Sequence, residues 1–196
     1  MTFGRFLLAG IVGGFVWFCW GAISHMALPL GEMGMKNLPA EAVLMPSMKT
    51  GIKERGFYMF PGMDEKDTSE AAQKAWEEKY KAGPRGVLIF DPTGGEAMSV
   101  GQLATEFISN FLAALWMAVI LSGIRGGVPT RAIVAAGLGI FAWLSIDVSY
   151  WNWYRFPNMF TLAQLIDQTI GAFLTGLAVA IVIGRGKPAP AVASTH

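Results

Sequence analysis

One cysteine, Cys19, and two histidines leave this chain little material for thiol or metal chemistry. Disulfide frameworks need cysteines in pairs and cysteine-based zinc sites need several, so neither can be built within a single chain. Charge is equally scarce. Charged residues make up 15% of the 196, and the 15 Lys and Arg nearly cancel the 14 Asp and Glu. With no basic excess, nucleic acid is not an expected partner. Nucleophile motifs, glycine-rich cofactor loops, haem-attachment motifs and paired His ligands are all missing from the sequence. Gly94-Gly95 lacks the Lys-Ser/Thr of a phosphate loop and reads as a turn. These absences speak against an enzyme acting alone. They imply no cofactor beyond a metal ion, considered below.

Apolar surface, in contrast, is abundant: 53% of residues are hydrophobic and the mean hydropathy is +0.44. The composition is that of a membrane protein. From Phe6 to Gly31 no Asp, Glu, Lys or Arg occurs, so residues 1–30 are read as a first transmembrane helix. A signal peptide is the competing reading, with Arg5 as its basic start and Ala22 and Ser24 as a small-residue cleavage site. Phe15, Trp17 and Trp20 crowd the end of the apolar run, so the segment is taken as uncleaved. Residues 99–124, 131–151 and 160–185 supply three further spans, each interrupted by one acid: Glu106, Asp147 and Asp167. Arg5, Arg125, Arg131, Arg185 and Lys187 flank the spans on one side. The positive-inside rule then puts both termini in the cytoplasm, 186–196 forming a cytoplasmic tail. On the other side lie Arg155 and the segment 31–98, which holds 20 of the 29 charged residues. Long segments escape the rule. A bacterial inner membrane fits this asymmetry.

An internal repeat organises the spans. At an offset of 62 the second and fourth share Gln102/Gln164, Leu103/Leu165, Ile108/Ile170, Phe111/Phe173, Leu112/Leu174, Leu115/Leu177 and Ala118/Ala180. At an offset of 126 the first and third share Arg5/Arg131, Ala9/Ala135, Gly13/Gly139, Phe15/Phe141 and Trp17/Trp143. Apolar helices resemble one another by composition alone. The polar-aromatic heptapeptides Phe57–Met63 and Trp153–Met159 are harder to dismiss, both reading aromatic, Tyr, any residue, Phe, Pro, Gly or Asn, Met. The expected fold is an all-α membrane protein: a four-helix bundle of two hairpins related by a pseudo-two-fold axis along the membrane normal, with a small, mostly helical insertion in the first hairpin. Gly10, Gly13 and Gly14, with Gly137 and Gly139, make small faces that place the central contact between the first and third spans.

Within the insertion, a helix starting at Pro39-Ala40-Glu41 is expected to bend or break at Pro46 and end near Gly51 or Gly56. A second is capped by Thr68 or Ser69 and stopped by Gly83-Pro84. Residues 86–90 read as one short strand or extended segment, and Ser99 with Gln102 as a capping box opening the second span. Two short helices are too little for an independent core. The insertion should therefore lie on the bundle or on a partner.

His25, Glu106, Asp147 and Asp167 fall near one depth. Under the repeat, Asp167 aligns with Thr105, next to Glu106, so the two carboxylates can converge from opposite hairpins. Intramembrane acids are functional candidates by default. Their commoner role is structural, near helix N-termini and with Arg155 as an available cation. A metal site built from His25, Glu106, Asp147 and Asp167, or a proton path, is the sharper alternative. Nine of eleven methionines fall on the outer side. Thioethers suit Cu(I), but without a run of Met-x-x-Met repeats, adaptable packing against lipid or another subunit is the favoured reading. Tyr58, Phe60, Pro61, Trp151, Trp153, Tyr154, Arg155, Phe156 and Pro157 form an outer belt expected at the headgroup layer and at an interface. Expected partners are the lipid bilayer and other membrane subunits or further copies of the chain. The leading functional expectation is a non-catalytic accessory or structural subunit of a larger membrane complex. The alternative is a small transporter or metal (copper)-binding protein.

Overall fold

The computed structural model describes residues 2–184. Arg185, Lys187 and the tail 186–196 lie outside the described residues. In chain order the elements are α1 (Phe3–Ala22), a π-helical turn (Ile23–Ala27), a 3-10 turn (Pro29–Gly31), α2 (Glu41–Gly51), β1 (Gly56–Phe60), α3 (Glu70–Ala82), β2 (Gly86–Phe90), α4 (Val100–Gly123), α5 (Val128–Ala142), a second π-helical turn (Trp143–Asp147), α6 (Val148–Tyr154) and α7 (Asn158–Ile183). Four continuous helices are long and apolar enough to cross a membrane: Phe3–Ala27, Val100–Gly123, Val128–Tyr154 and Asn158–Ile183. Each has at least 24 residues, against about 20 needed for a hydrocarbon core. The chain divides into two compact units. One comprises residues 2–35, 98–151 and 156–184; the other is Lys36–Ala97 with Asn152–Arg155.

In the first unit α7 is the hub. It packs along α5 and α1, and α1 packs in turn along α4, whereas α1 and α5 share no comparable contact. The expected pairing of the first and third spans is therefore corrected. Both bear small faces, but the glycines turn toward other helices. A Cβ on Gly14 would lie 2.7 Å from the Phe111 Cα, so Gly14 brings α1 onto α4, and one on Gly13 would lie 2.7 Å from the Val179 Cγ2 and 2.8 Å from the Ala114 Cβ, so Gly13 seats α1 against both α7 and α4. A Cβ on Gly139 would run into the Gln168 carbonyl and lie 3.0 Å from the Ala172 Cβ, so Gly139 brings α5 onto α7. Lipid offers no hydrophobic drive between helices, and close backbone approach at small residues supplies the dispersion contacts instead. The core follows suit: Ala9, Ala114, Ala118, Ala135 and Ala172 are buried with Met117, Leu121, Val179 and Ile183.

Ser99 and Gln102 form the expected capping box, each side chain bonded to the other's backbone amide. Near the end of α7, Arg131 is buried to 2% exposure. Its guanidinium donates to the Gly184 carbonyl and to the Ile124 carbonyl just past α4, at 3.3 and 3.4 Å. The last carbonyls of a helix lack intrahelical donors and carry the negative dipole end, so a cation satisfies both needs there.

In the second unit, α2 continues unbroken through Pro46 and stops at Gly51. Pro46 cannot donate to the carbonyl one turn back, but the Ser47 and Thr50 hydroxyls donate to Val43 and Pro46 carbonyls and keep the turn closed. Ser69 caps α3 by accepting from the Ala72 amide, and Gly83 ends it at φ 72°. Residues 86–90 form a strand that has a partner: β1 and β2 pair antiparallel, Phe57 opposite Ile89 and Tyr58 opposite Leu88. Alternation turns Phe57, Met59 and Ile89 outward. The Trp76 indole ties α3 to the Pro61 carbonyl at 2.9 Å.

Candidate functional site

Two of the membrane-length helices contain a π-helical turn, Ile23–Ala27 and Trp143–Asp147. Such turns insert an extra residue per turn, re-aim the side chains around them and recur at functional sites. Here each turn delivers one polar group to α7. The His25 Nε2 lies 3.7 Å from the Asp167 Oδ2, and the Gln168 Nε2 donates to the Asp147 Oδ2 at 2.7 Å. Asp167 and Gln168 are consecutive, so they differ by about 1.5 Å in height and about 100° around the helix. The two π turns therefore meet α7 at one level from two directions.

The imidazole of His25 is held on its other edge. Its Nδ1 and Cγ lie against Gly31, where a Cβ would overlap the ring. With Nδ1 turned to the 3-10 turn, Nε2 is the nitrogen left for Asp167. The second carboxylate oxygen, Asp167 Oδ1, is enclosed and has no hydrogen-bond partner, and the same is true of the Gln168 Oε1. Trp20 donates its indole N–H to the Asp167 main-chain carbonyl at 3.1 Å, fixing α1 to α7 at this level.

Glu106 arrives from α4. Its Oε1 accepts from the Asn110 Nδ2, one turn further along, at 3.1 Å. His25, Glu106 and Asp167 line one cavity of about 350 Å³, walled by Trp17 and Phe18 and bordered by Met26 and Met98. The two acids reach this cavity from different helices, α4 and α7. Asp147 does not line this cavity; it is buried against Gln168. The role foreseen for Arg155 is filled by Gln168 and His25. Nor does a helix dipole hold these charges: Glu106 is in the second turn of α4 and Asp167 in the third of α7, and the dipole effect fades within the first. Among the described residues, no group of three or more His, Cys, Asp and Glu could hold a metal ion.

The aromatic belt residues have varied surroundings. Phe57 packs edge-to-face on Tyr154 at 5.4 Å, so the two heptapeptides touch, yet one forms β1 and the other ends α6 and starts α7. The Tyr58 hydroxyl donates to the Glu54 carbonyl; Phe60 and Trp153 are exposed. Arg155 takes a positive φ of 63° at the turn into α7. Trp151 donates to the Asn158 Oδ1 at 2.7 Å, Phe156 sits between the rings of Tyr150 and Phe160, and the Pro157 carbonyl accepts the first α7 bond from the Thr161 amide.

Gln168, Trp20, Asn110 and Gly31 complete the site, and sequence reading missed all four. Gln168 and Asn110 had a signal, being polar residues at membrane depth beside or one turn from a carboxylate; Gly31 had none. No protein-family model, curated protein or solved structure matches this chain.

Proposed function

We propose that the chain is a non-catalytic accessory subunit of a larger membrane protein complex and that its Lys36–Ala97 unit is the docking part. One observation carries this reading. Of the residues in that unit only Phe90 is buried, while Phe57, Met59 and Ile89 are 50, 56 and 73% exposed on one face of the β1–β2 pair. Ordering a residue costs about 1–2 kcal/mol of backbone entropy, and a unit this size offsets that only by burying apolar surface. A two-stranded sheet with a bare apolar face and two free edges acquires that burial from a partner. Phe57, Met59 and Ile89 are the proposed contact residues of that unit, facing another membrane subunit or a second copy.

The finer architecture belongs to the same proposal: two sibling hairpins, α1 with α4 and α5 with α7, in a bacterial inner membrane with both termini cytoplasmic. Burial supports the kinship. The buried residues of α4 are Asn110, Ala114, Met117, Ala118 and Leu121, and the positions 62 further on, Ala172, Gly176, Val179, Ala180 and Ile183, are buried in α7. Ala9 and Ala135, and Gly13 and Gly139, are likewise buried in pairs. Arg5, Arg125 and Arg131 at one end support the orientation.

Extraction of tagged full-length protein into native nanodiscs, followed by native mass spectrometry, tests the docking reading. The expected result is a stoichiometric second polypeptide or copy, reduced several-fold by Phe57→Ser with Ile89→Ser. Monomers alone, from membranes never exposed to detergent, would refute it.

A further inference from the structure

At one end of the helical unit α1 and α5 begin and α4 and α7 close, and this end gathers positive charge without any acid. All 14 Asp and Glu of the chain fall between Glu32 and Asp167. Those within the bundle helices, Glu106, Asp147 and Asp167, lie roughly 25 Å away along their helices at about 1.5 Å per residue, too far for an ion pair. Helix dipoles do not supply the missing negative charge. Two N-termini and two C-termini meet here, and their partial charges of about half a unit cancel in pairs.

Three arginines are drawn together at this end. Arg131 joins α7 to α4 by donating to the Gly184 and Ile124 carbonyls. Arg5 lies against the same Gly184, where a Cβ would be 3.4 Å from the Arg5 Nη2, and Arg125 directly follows Ile124. Arg131 already occupies those two carbonyls. Arg5 and Arg125 are exposed, and among the described residues no ion pair reaches either. A phosphate answers such a pair, because its oxygens accept from two guanidinium forks at once.

Beside these arginines an apolar groove of about 230 Å³ runs between α1 and α4, lined by Phe6, Leu112, Leu115, Trp116 and Val119. Gly14 faces Phe111 and Gly10 faces Leu115, so the two helices are antiparallel and Phe6, the neighbour of Arg5, falls level with Val119. The groove therefore starts within one turn of Arg5 and runs inward to Leu112 for about 10 Å. Any lipid tail can fill it, but the arginines select an acidic headgroup.

We propose that this end of the bundle binds an anionic phospholipid, its phosphate paired with Arg5 and Arg125 and one acyl chain lying in the groove between α1 and α4. The site is independent of the docking proposal, since every residue in it belongs to the helical unit.

The test uses the full chain in nanodiscs of equal parts phosphatidylglycerol and phosphatidylcholine with matched acyl chains, and native mass spectrometry counts the lipids that stay bound as the disc is stripped. Phosphatidylglycerol should be retained over phosphatidylcholine by about fivefold or more. Arg5→Gln with Arg125→Gln should bring that ratio close to one at wild-type helicity, whereas Arg5→Lys with Arg125→Lys should keep most of it. Arg85→Gln, in the other unit, should leave it unchanged. Phosphatidylglycerol brominated on its acyl chain should quench Trp116, read as the difference between wild type and Trp116→Phe, more strongly than brominated phosphatidylcholine does. Equal retention of the two lipids, equal quenching by them, or an unchanged ratio in the folded Gln variant would overturn the proposal. Displacement of the lipid by inorganic phosphate would give the site to a soluble anion and overturn it as well.

Discussion

Gly139 and Gly137 lie two residues apart on α5 and offer a matched pair of substitutions. A Cβ on Gly137 meets nothing within 4 Å, whereas one on Gly139 would lie 2.9 Å from the Gln168 carbonyl carbon and 3.0 Å from the Ala172 Cβ. Gly137→Ala should therefore show only the helix-propensity gain, about 0.5–1 kcal/mol of stabilisation. Gly139→Ala gains the same propensity but must push α5 off α7 by roughly 0.5–1 Å, because relaxed carbon contacts lie near 3.5–4 Å. A gap of that size forfeits about a quarter to a half of each dispersion contact along the seam. Overpacking of this kind costs about 1–3 kcal/mol. The net expectation is a loss of about 1–2 kcal/mol for Gly139→Ala, some tenfold in the folding equilibrium, with Gly137→Ala on the opposite side of wild type. Reversible unfolding in mixed micelles, followed by far-UV circular dichroism, reads both. Gly139→Ala as stable as Gly137→Ala would refute the close approach of α5 and α7.

Two further expectations concern polar contacts. Arg131→Met leaves the Gly184 and Ile124 carbonyls without their donor and should cost about 3 kcal/mol in the same assay; a change under about 0.5 kcal/mol would contradict the capping role. In the Lys36–Ala97 unit, hydrogen bonds from the side chain and then the amide of Ser69 hold Asp67 below its ordinary pKa of 3.8, and those of Thr93 do the same for Asp91. A depressed folded value means that the turn's stabilisation is present above 3.8 and is lost as pH falls through it toward the folded value. Carboxyl carbon-13 titrations should give midpoints below 3.8 for both, with Ser69→Ala raising that of Asp67; unshifted midpoints would contradict these bonds.

Much of this was legible in the residues because the signals are local. Four apolar runs, the Ser99 and Gln102 box and the Ser69 cap each depend on a few neighbouring positions. Glu106 and Asp167 could be placed at similar depths from the residues, and both line one cavity. Helix partners could not be read. Gly13 and Gly139 are equivalent in sequence, but Gly13 packs against both α4 and α7 and Gly139 against α7, and apolar helices in lipid carry no code for that choice beyond shape. The π turns leave no composition signature, so depth alone groups His25 with Asp167, and neither their direct pairing nor that of Asp147 with Gln168 can be read from the residues. Phe57–Phe60 is a continuous aromatic and apolar run, which fits a strand or a membrane-interface belt equally and so does not name β1.

The central claim is that α7 stands between α1 and α5 and carries Asp167 and Gln168 to both π turns. Cysteine pairs in a Cys19→Ala background, oxidised in native membranes and mapped within single chains by mass spectrometry, test it most directly. Gly13→Cys with Val179→Cys, joining α1 to α7, and Ala135→Cys with Gly176→Cys, joining α5 to α7, link positions that meet side to side and should form disulfides. Gly13→Cys with Gly139→Cys should not, and efficient bonding of that pair within one chain would contradict the arrangement.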